Sequence, residues 1–267
     1  MICADSMLQL TRSFWNANPC DGHADVDGRT RFRYQKEPWL PAILERVAEH
    51  RAVLEVGCGQ GTDALYCCRR MRPGCSYTGV DYSEKSIENA RCSLEQYPEP
   101  LQVRPDFRVG NAESLDFVDR SFDCVMSIGV LHHTPNTQEA IDELHRVLRP
   151  GGTAFIALYR SASPKVFTAH VIRAAARLVD FTARRDRCLY RWCGRWGSDH
   201  CLGTMLLECL GVPILKSYTR AQIGRMFGRF DSVRAYPIGM GLPLGIGCAV
   251  DTGRNPLGAL WMVEAVK

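Results

Sequence analysis

Val53-Leu54-Glu55-Val56-Gly57-Cys58-Gly59-Gln60-Gly61 decides the fold, because an apolar run of strand character passes directly into three glycines at alternate positions. A helical pattern, Thr62 to Met71, starts immediately behind them. Glycine reaches backbone conformations closed to other residues and lets a ligand lie against the main chain at the carboxyl end of a strand. A dinucleotide fingerprint requires Gly-Xaa-Gly-Xaa-Xaa-Gly; counted from Gly57 and Gly59, its third glycine falls on Thr62, so the spacing argues against NAD. Glu55 sets a carboxylate beside the loop, which repels a pyrophosphate and suits the ammonium of a methionine-like moiety.

Downstream, short apolar runs alternate with helical patterns. The runs are Ala52 to Val56, Ser76 to Val80, Asp106 to Val109, Phe122 to Ile128 and Thr153 to Leu158. Helical periodicity fills Ser83 to Tyr97 and Asn136 to Leu148, and Arg149-Pro150-Gly151-Gly152 reads as a turn that stops the last helix and launches the fifth strand. A capping-box pattern at Thr219 and Gln222 opens a helix through Phe227, and Ser232 to Ile238 and Ala259 to Val266 read as two closing strands. The expected fold class is α/β: a Rossmann-like, seven-stranded, mostly parallel sheet with helices on both faces, an N-terminal cap and a helical insertion after the fifth strand. Its expected parts are a cap or lid over 1–50, a cofactor-binding core over 51–160, an insertion over 161–218 and completion of the sheet over 219–267.

The carboxyl ends of four successive strands carry polar groups. After the glycine loop comes Asp81 with Tyr82, twenty residues beyond Gly61, where a carboxylate can accept hydrogen bonds from both hydroxyls of a ribose. The third strand ends in Gly110-Asn111-Ala112-Glu113 and the fourth in Ser127-Ile128-Gly129-Val130-Leu131-His132-His133.

Through Glu55 to Gly61, Asp81, Asn111 to Glu113, Leu131 to Pro135 and Leu148 to Gly152, the sequence resembles the class I S-adenosylmethionine-dependent methyltransferases, particularly their small-molecule members. The resemblance covers about residues 50 to 160. It implies S-adenosyl-L-methionine as cofactor, with Gly57, Gly59 and Gly61 facing its methionine part, Asp81 its ribose and Asn111 with Ala112 its adenine edge. Glu55, Cys58, Tyr82 and Glu113 join the expected cofactor contacts, and Ser127 and His132 are expected to flank the transfer site.

The acceptor is read by elimination. The Asn or Asp, Pro-Pro and aromatic motif of nucleic-acid amino methyltransferases is absent after the fourth strand, where Ser127-Ile128-Gly129-Val130 stands. The paired-glutamate loop of arginine methyltransferases is not seen, and the cysteine of arsenic methyltransferases is replaced by Asp63 and Ala64. A small-molecule acceptor with an oxygen or nitrogen nucleophile is favoured, with a peptide or lipid-linked acceptor, or a noncatalytic scaffold, as alternatives. Transfer from a sulfonium needs alignment and, for a hydroxyl, loss of a proton. His133 and His132 are candidates for the base, since imidazole titrates near neutrality, and Tyr159 for positioning the acceptor. Either histidine could instead be scaffold. His145 is expected to face solvent.

Net charge is only +4, from 33 basic and 29 acidic residues, too little to imply nucleic acid or membrane by itself. Thirteen cysteines, an odd number with Cys67 and Cys68 adjacent, do not resemble a disulfide framework, so a cytoplasmic, soluble protein without a leader or span is expected. Cys188, Cys193, His200 and Cys201 invite a metal reading, but no Cys-Xaa-Xaa-Cys pair occurs and no metal is expected. Trp15, Pro19, Phe32, Arg33, Tyr34 and Trp39 give the N-terminal segment an aromatic character suited to a lid that excludes water; the same residues could simply staple it down. A helix is expected from Trp39 to His50. Within Lys165 to Arg195 an Arg-rich amphipathic pattern admits three readings: a cap lining the acceptor pocket, a membrane-surface element, or a site for an anionic acceptor or carrier protein. By analogy, Tyr190, Trp192, Leu210 and Tyr218 line the acceptor site.

Overall fold

A computed structural model describes residues 4–20, 25–183, 210–239 and 254–267. Three N-terminal helices, α1 (Ala4–Ala17), α2 (Val26–Lys36) and α3 (Leu40–Ala48), precede β1 (Ala52–Val56), α4 (Thr62–Arg70), β2 (Ser76–Asp81), α5 (Glu84–Gln96), β3 (Asp106–Val109) and β4 (Phe122–Ile128). A 3₁₀ turn (Leu131–His133), α6 (Thr137–Val147), β5 (Leu148–Tyr159), α7 (Pro164–Ala183), α8 (Arg220–Met226), β6 (Ser232–Ile238) and β7 (Leu260–Val266) follow. The seven strands form one sheet in the order β3-β2-β1-β4-β5-β7-β6. Strands β1 to β5 run parallel, and β7 pairs antiparallel to both β5 and β6.

Side chains on successive strand residues leave by opposite faces, and here both faces are apolar. Val53, Cys124, Met126 and Phe155 join Leu44, Val47 and Cys67 beneath α3 and α4. Leu54, Val125, Ala154 and Ile156 join Ile141, Leu144 and Phe227 beneath α6 and α8. Truncating one such fully buried leucine to alanine costs about 2–5 kcal/mol. Caps fix the helix starts: Asn136 accepts from Glu139 N–H at α6, and Thr219 and Gln222 complete the capping box at α8.

Three expectations need correction or extension. The Arg149 to Gly152 turn is no break between helix and strand, because Leu148 already pairs with Phe122 and a register shift absorbs the extra residues, with Gly151 at φ +78°. The cap expected over 1–50 is helical ahead of Trp39 as well, with α1 and α2 among its described residues. Gly28 sits inside α2, which is held by an Asp25 cap and by the buried Arg29 guanidinium donating to Ser93 on α5. His145 is only partly exposed; its ring packs edge-on against Phe230 at 5.0 Å, and burial lowers its pKa. Among the described residues no helix is long and apolar enough to cross a membrane, and no cluster of His, Cys, Asp and Glu is placed to hold a metal. Cys188, Cys193, His200 and Cys201 lie outside the described residues.

Candidate functional site

A cavity of about 210 Å³ lies where β1, β2 and β4 end. Its floor is backbone. As β1 stops, the N–H groups of Gly57 and Cys58 both donate to Val80 O, at 2.7 and 3.0 Å, which bends the loop over β2. A Cβ on Gly57 would stand 2.2 Å from Val130 Cγ2, at φ +85°, so that glycine is demanded by Val130. Gly59 is different: at φ +52° nothing lies within 4 Å of where its Cβ would be, and it lines the cavity with main chain alone. Its N–H donates to Asp81 Oδ2 at 2.9 Å, while Oδ1 accepts from Ser83 N–H at 2.9 Å. Burial raises the Asp81 pKa against the opposing effect of those backbone donors. Each carboxylate oxygen keeps a further lone pair for a hydroxyl.

Glu55 is buried under the loop and lines the same cavity. Tyr77 OH donates to its Oε2 at 2.8 Å, yet burial, helped by the neighbouring Asp63, pushes its pKa up to about 8. A carboxylate in that state lacks an adequate cationic partner, and a cation delivered through the cavity would return it to the ionised form.

Cys58, Tyr82, Asn111 and Ala112 also line the cavity. Four expected contacts do not. Gly61 turns toward the sheet, where a Cβ would meet Phe107 Cζ at 2.8 Å. Glu113 is committed to Asn136 N–H at the start of α6. Ser127, fully buried, donates from Oγ to Val56 O at 2.8 Å and so fastens β4 to the end of β1.

His132 is the fourth. It is fully buried behind the wall, both ring nitrogens lack a hydrogen-bond partner among the described residues, and its ring lies 3.9 Å from Tyr159 and 4.2 Å from His133 between centroids. Burial, then the neighbouring His133, holds its pKa well below the ordinary value, so the ring stays neutral and serves as packing. His133 and Tyr159 line the cavity itself. His133 Nδ1 sits 2.7 Å from Ile214 O, and a carbonyl only accepts, so the neutral ring carries its hydrogen on Nδ1 and its lone pair on Nε2.

The remaining wall comes from the N-terminal helices. Trp15 meets His133 edge-on at 5.6 Å, and Pro19, Arg33 and Trp39 also line the cavity. Asp63, buried at the start of α4, takes Arg33 Nη2 at 2.7 Å and Tyr34 OH at 3.2 Å. Gln60 donates to Cys20 O and accepts from Asn89 Nδ2 at 3.0 Å. Sequence reasoning gave neither Gln60 nor Asp63 a place in the site; the available signal was a polar residue at a helix start otherwise built from Ala64 and Leu65. Lys165, in the first turn of α7, lines the cavity half-buried and has no ion-pair partner among the described residues. Tyr218 is not on the wall; its OH donates to Thr137 Oγ1 at 2.8 Å inside the core. Leu210 is also off the wall, and Tyr190 and Trp192 lie outside the described residues.

A family model described as a methyltransferase domain matches residues 54–156. The chain is 35% identical over 133 residues to a fatty-acid O-methyltransferase of Mycolicibacterium smegmatis, spanning 50% of this chain and 45% of that protein. It is 40% identical over 102 residues to a phthiotriol/phenolphthiotriol dimycocerosates methyltransferase of Mycobacterium tuberculosis, spanning 38% of this chain and 35% of that one. The chain thus spans less than half the length of these relatives. The solved structure of an S-adenosylmethionine-dependent methyltransferase from Thermotoga maritima shares the fold, with TM-score 0.59 and 15% identity over 96% of this chain and 99% of that one.

Proposed function

We propose, from the match of residues 54–156 to a methyltransferase domain, that the protein is an S-adenosylmethionine-dependent methyltransferase that transfers a methyl group to an oxygen of a small acceptor with an apolar body. The observation that carries this reading is the place of His133 on the cavity wall, with Ile214 O fixing the ring's hydrogen on Nδ1. The residues of the floor fit the cofactor: Gly59 offers bare main chain, Asp81 two acceptor oxygens and Glu55 a buried carboxylate in want of a cation. Bound there, S-adenosylmethionine supplies an electrophilic methyl group with a neutral thioether as leaving group.

The chain's own residues do the rest. Glu55 binds the ammonium and Asp81 the ribose hydroxyls, which fixes the position of the reacting carbon. Tyr159 and Trp15 confine the acceptor from two sides. As the new carbon–oxygen bond forms, the hydroxyl proton passes to His133 Nε2, and the imidazolium then returns it to solvent. The N-terminal helices act as a lid that excludes water.

An apolar acceptor body suits the walls supplied by Leu8, Trp15, Ile128, Val130 and Leu260. The chain's likeness to a fatty-acid O-methyltransferase and to a phthiotriol/phenolphthiotriol dimycocerosates methyltransferase supports the same reading. Lys165 favours a second reading, a carboxylate acceptor, which arrives deprotonated, pairs with the ammonium and needs no base. Labelled S-adenosylmethionine offered with matched long-chain alcohols and acids tests both. Label in the alcohol ether that disappears with His133→Ala supports the first, and label in the acid ester that survives His133→Ala but falls with Lys165→Ala supports the second. Label only in protein, or no S-adenosylhomocysteine at all, overturns both.

A further inference from the structure

We infer that α7 docks the protein flat onto an anionic lipid surface. Phe167, Val171, Ala174, Leu178 and Phe181 recur at spacings of 4, 3, 4 and 3 residues, which places them in one line along a helix. All five are exposed, Phe167 at 66%, Leu178 at 64% and Phe181 at 82% of their surface. The inward face of the same helix is already occupied: Val166 and Ala169 are buried, and Arg173 donates to Val212 O at 3.0 Å. The stripe is therefore not the side by which α7 is fixed to the protein. At 1.5 Å per residue its two terminal phenylalanines stand about 21 Å apart, a long apolar line to leave in water.

The charge beside the stripe names the occupant. One border carries Arg177, which is exposed and has no ion-pair partner among the described residues, beside His170, whose ring meets Ser217 Oγ at 3.1 Å and whose pKa burial lowers, so that Arg177 supplies the charge. Asp180, the single acid on α7, lies on the inward side, half-buried and engaged. The opposite border is uncharged, with Thr168, Ala175 and Val179. Pairing two copies across the stripe would therefore bring no acidic edge against the basic one in either orientation. An apolar arc bordered by an exposed arginine, with no acid beside it among the described residues, instead suits a helix lying in an anionic headgroup layer. The position is also useful: Lys165, two residues before Phe167, lines the cavity, so a lipid-borne acceptor would meet the site at the end of the docked helix.

Co-sedimentation of the full protein with phosphatidylglycerol vesicles and with phosphatidylcholine vesicles tests this. The expected result is partition onto the anionic vesicles, weakened by salt, reduced at least about tenfold by Phe167→Glu with Phe181→Glu, and reduced on anionic vesicles alone by Arg177→Glu. These exposed positions leave the core intact, so S-adenosylmethionine affinity and turnover of a short soluble acceptor should not change; retention of both shows that a loss of partition is not misfolding. Wild-type protein that stays in the supernatant, or a Phe167→Glu, Phe181→Glu variant that partitions as well as wild type, overturns the inference. So does a wild-type dimer in sedimentation velocity that the same variant dissociates, which would assign the stripe to a second copy. The methyltransfer reading survives any of these results, since it stands on the cavity.

Discussion

The floor and the roof of the cavity are built by different means. The floor is strand ends and backbone: Gly59 N–H to Asp81, Gly57 and Cys58 N–H to Val80 O, Ser127 Oγ to Val56 O. Each group is placed by the parallel sheet behind it. The roof is side chains reaching between distant helices: Arg33 to Asp63, Arg12 and Asn16 to Glu84, Gln60 to Cys20. The floor can hold a ligand before anything binds, whereas the roof can be loosened by breaking single contacts. Precision therefore belongs to the floor and access to the roof.

The largest expected effect lies where the two meet. His133→Ala should lower kcat on a hydroxyl acceptor about 1000-fold while calorimetry finds cofactor affinity unchanged, because general-base removal touches only the transition state. Full turnover would make His133 part of the roof and no more. Asp81→Ala, a floor change, should weaken S-adenosylmethionine about 100-fold in the same titration, through loss of charge-assisted hydrogen bonds to both the ribose and Gly59. Affinity equal to wild type would mean that the floor is not where the cofactor lies.

Glu55 sharpens the contrast through pH. Its pKa near 8 makes it largely protonated at neutrality in the free protein, and a bound ammonium requires the ionised form. Binding should therefore release a proton well below pH 8, with affinity rising by up to about tenfold per pH unit toward that point. Titrations in two buffers of different ionisation enthalpy read the proton directly, and Glu55→Gln should abolish the slope. The smallest effect is expected in the roof. Arg33→Ala should cost about 1 kcal/mol in denaturant unfolding, since Tyr34 still donates to Asp63, and should raise the KM for cofactor more than it changes kcat.

This division also explains what could be read from the amino-acid string. The strands β1, β3, β4 and β6 were legible to the residue: β1 and β4, inside the sheet, are apolar runs buried on both faces, and the largely exposed edge strands β3 and β6 are delimited by the glycines behind them, Gly110 and Gly239. Asp81, Asn111 and Tyr159 were legible as positions because the sheet delivers its strand ends to one edge. Helices α1 and α2 were not legible: α2 carries Gly28 and four basic residues, and what holds it is Ser93 and Asp63, 64 and 30 residues away from their partners. His132 and His133 could not be told apart from their order. One extra ring placed behind the wall, with no hydrogen-bond partner among the described residues, separates a packing group from a base.

That hidden ring also has a bearing on acid tolerance. His132 resists protonation while folded, but once the chain unfolds it takes up a proton at its ordinary value of 6.5. Below that pH the unfolded chain binds the extra proton and the native state does not, so the fold loses about 1.4 kcal/mol per pH unit until the native pKa is reached. The protein thus carries an acid-sensitive group one residue from the candidate base, and its unfolding free energy should fall as the pH drops below 6.5.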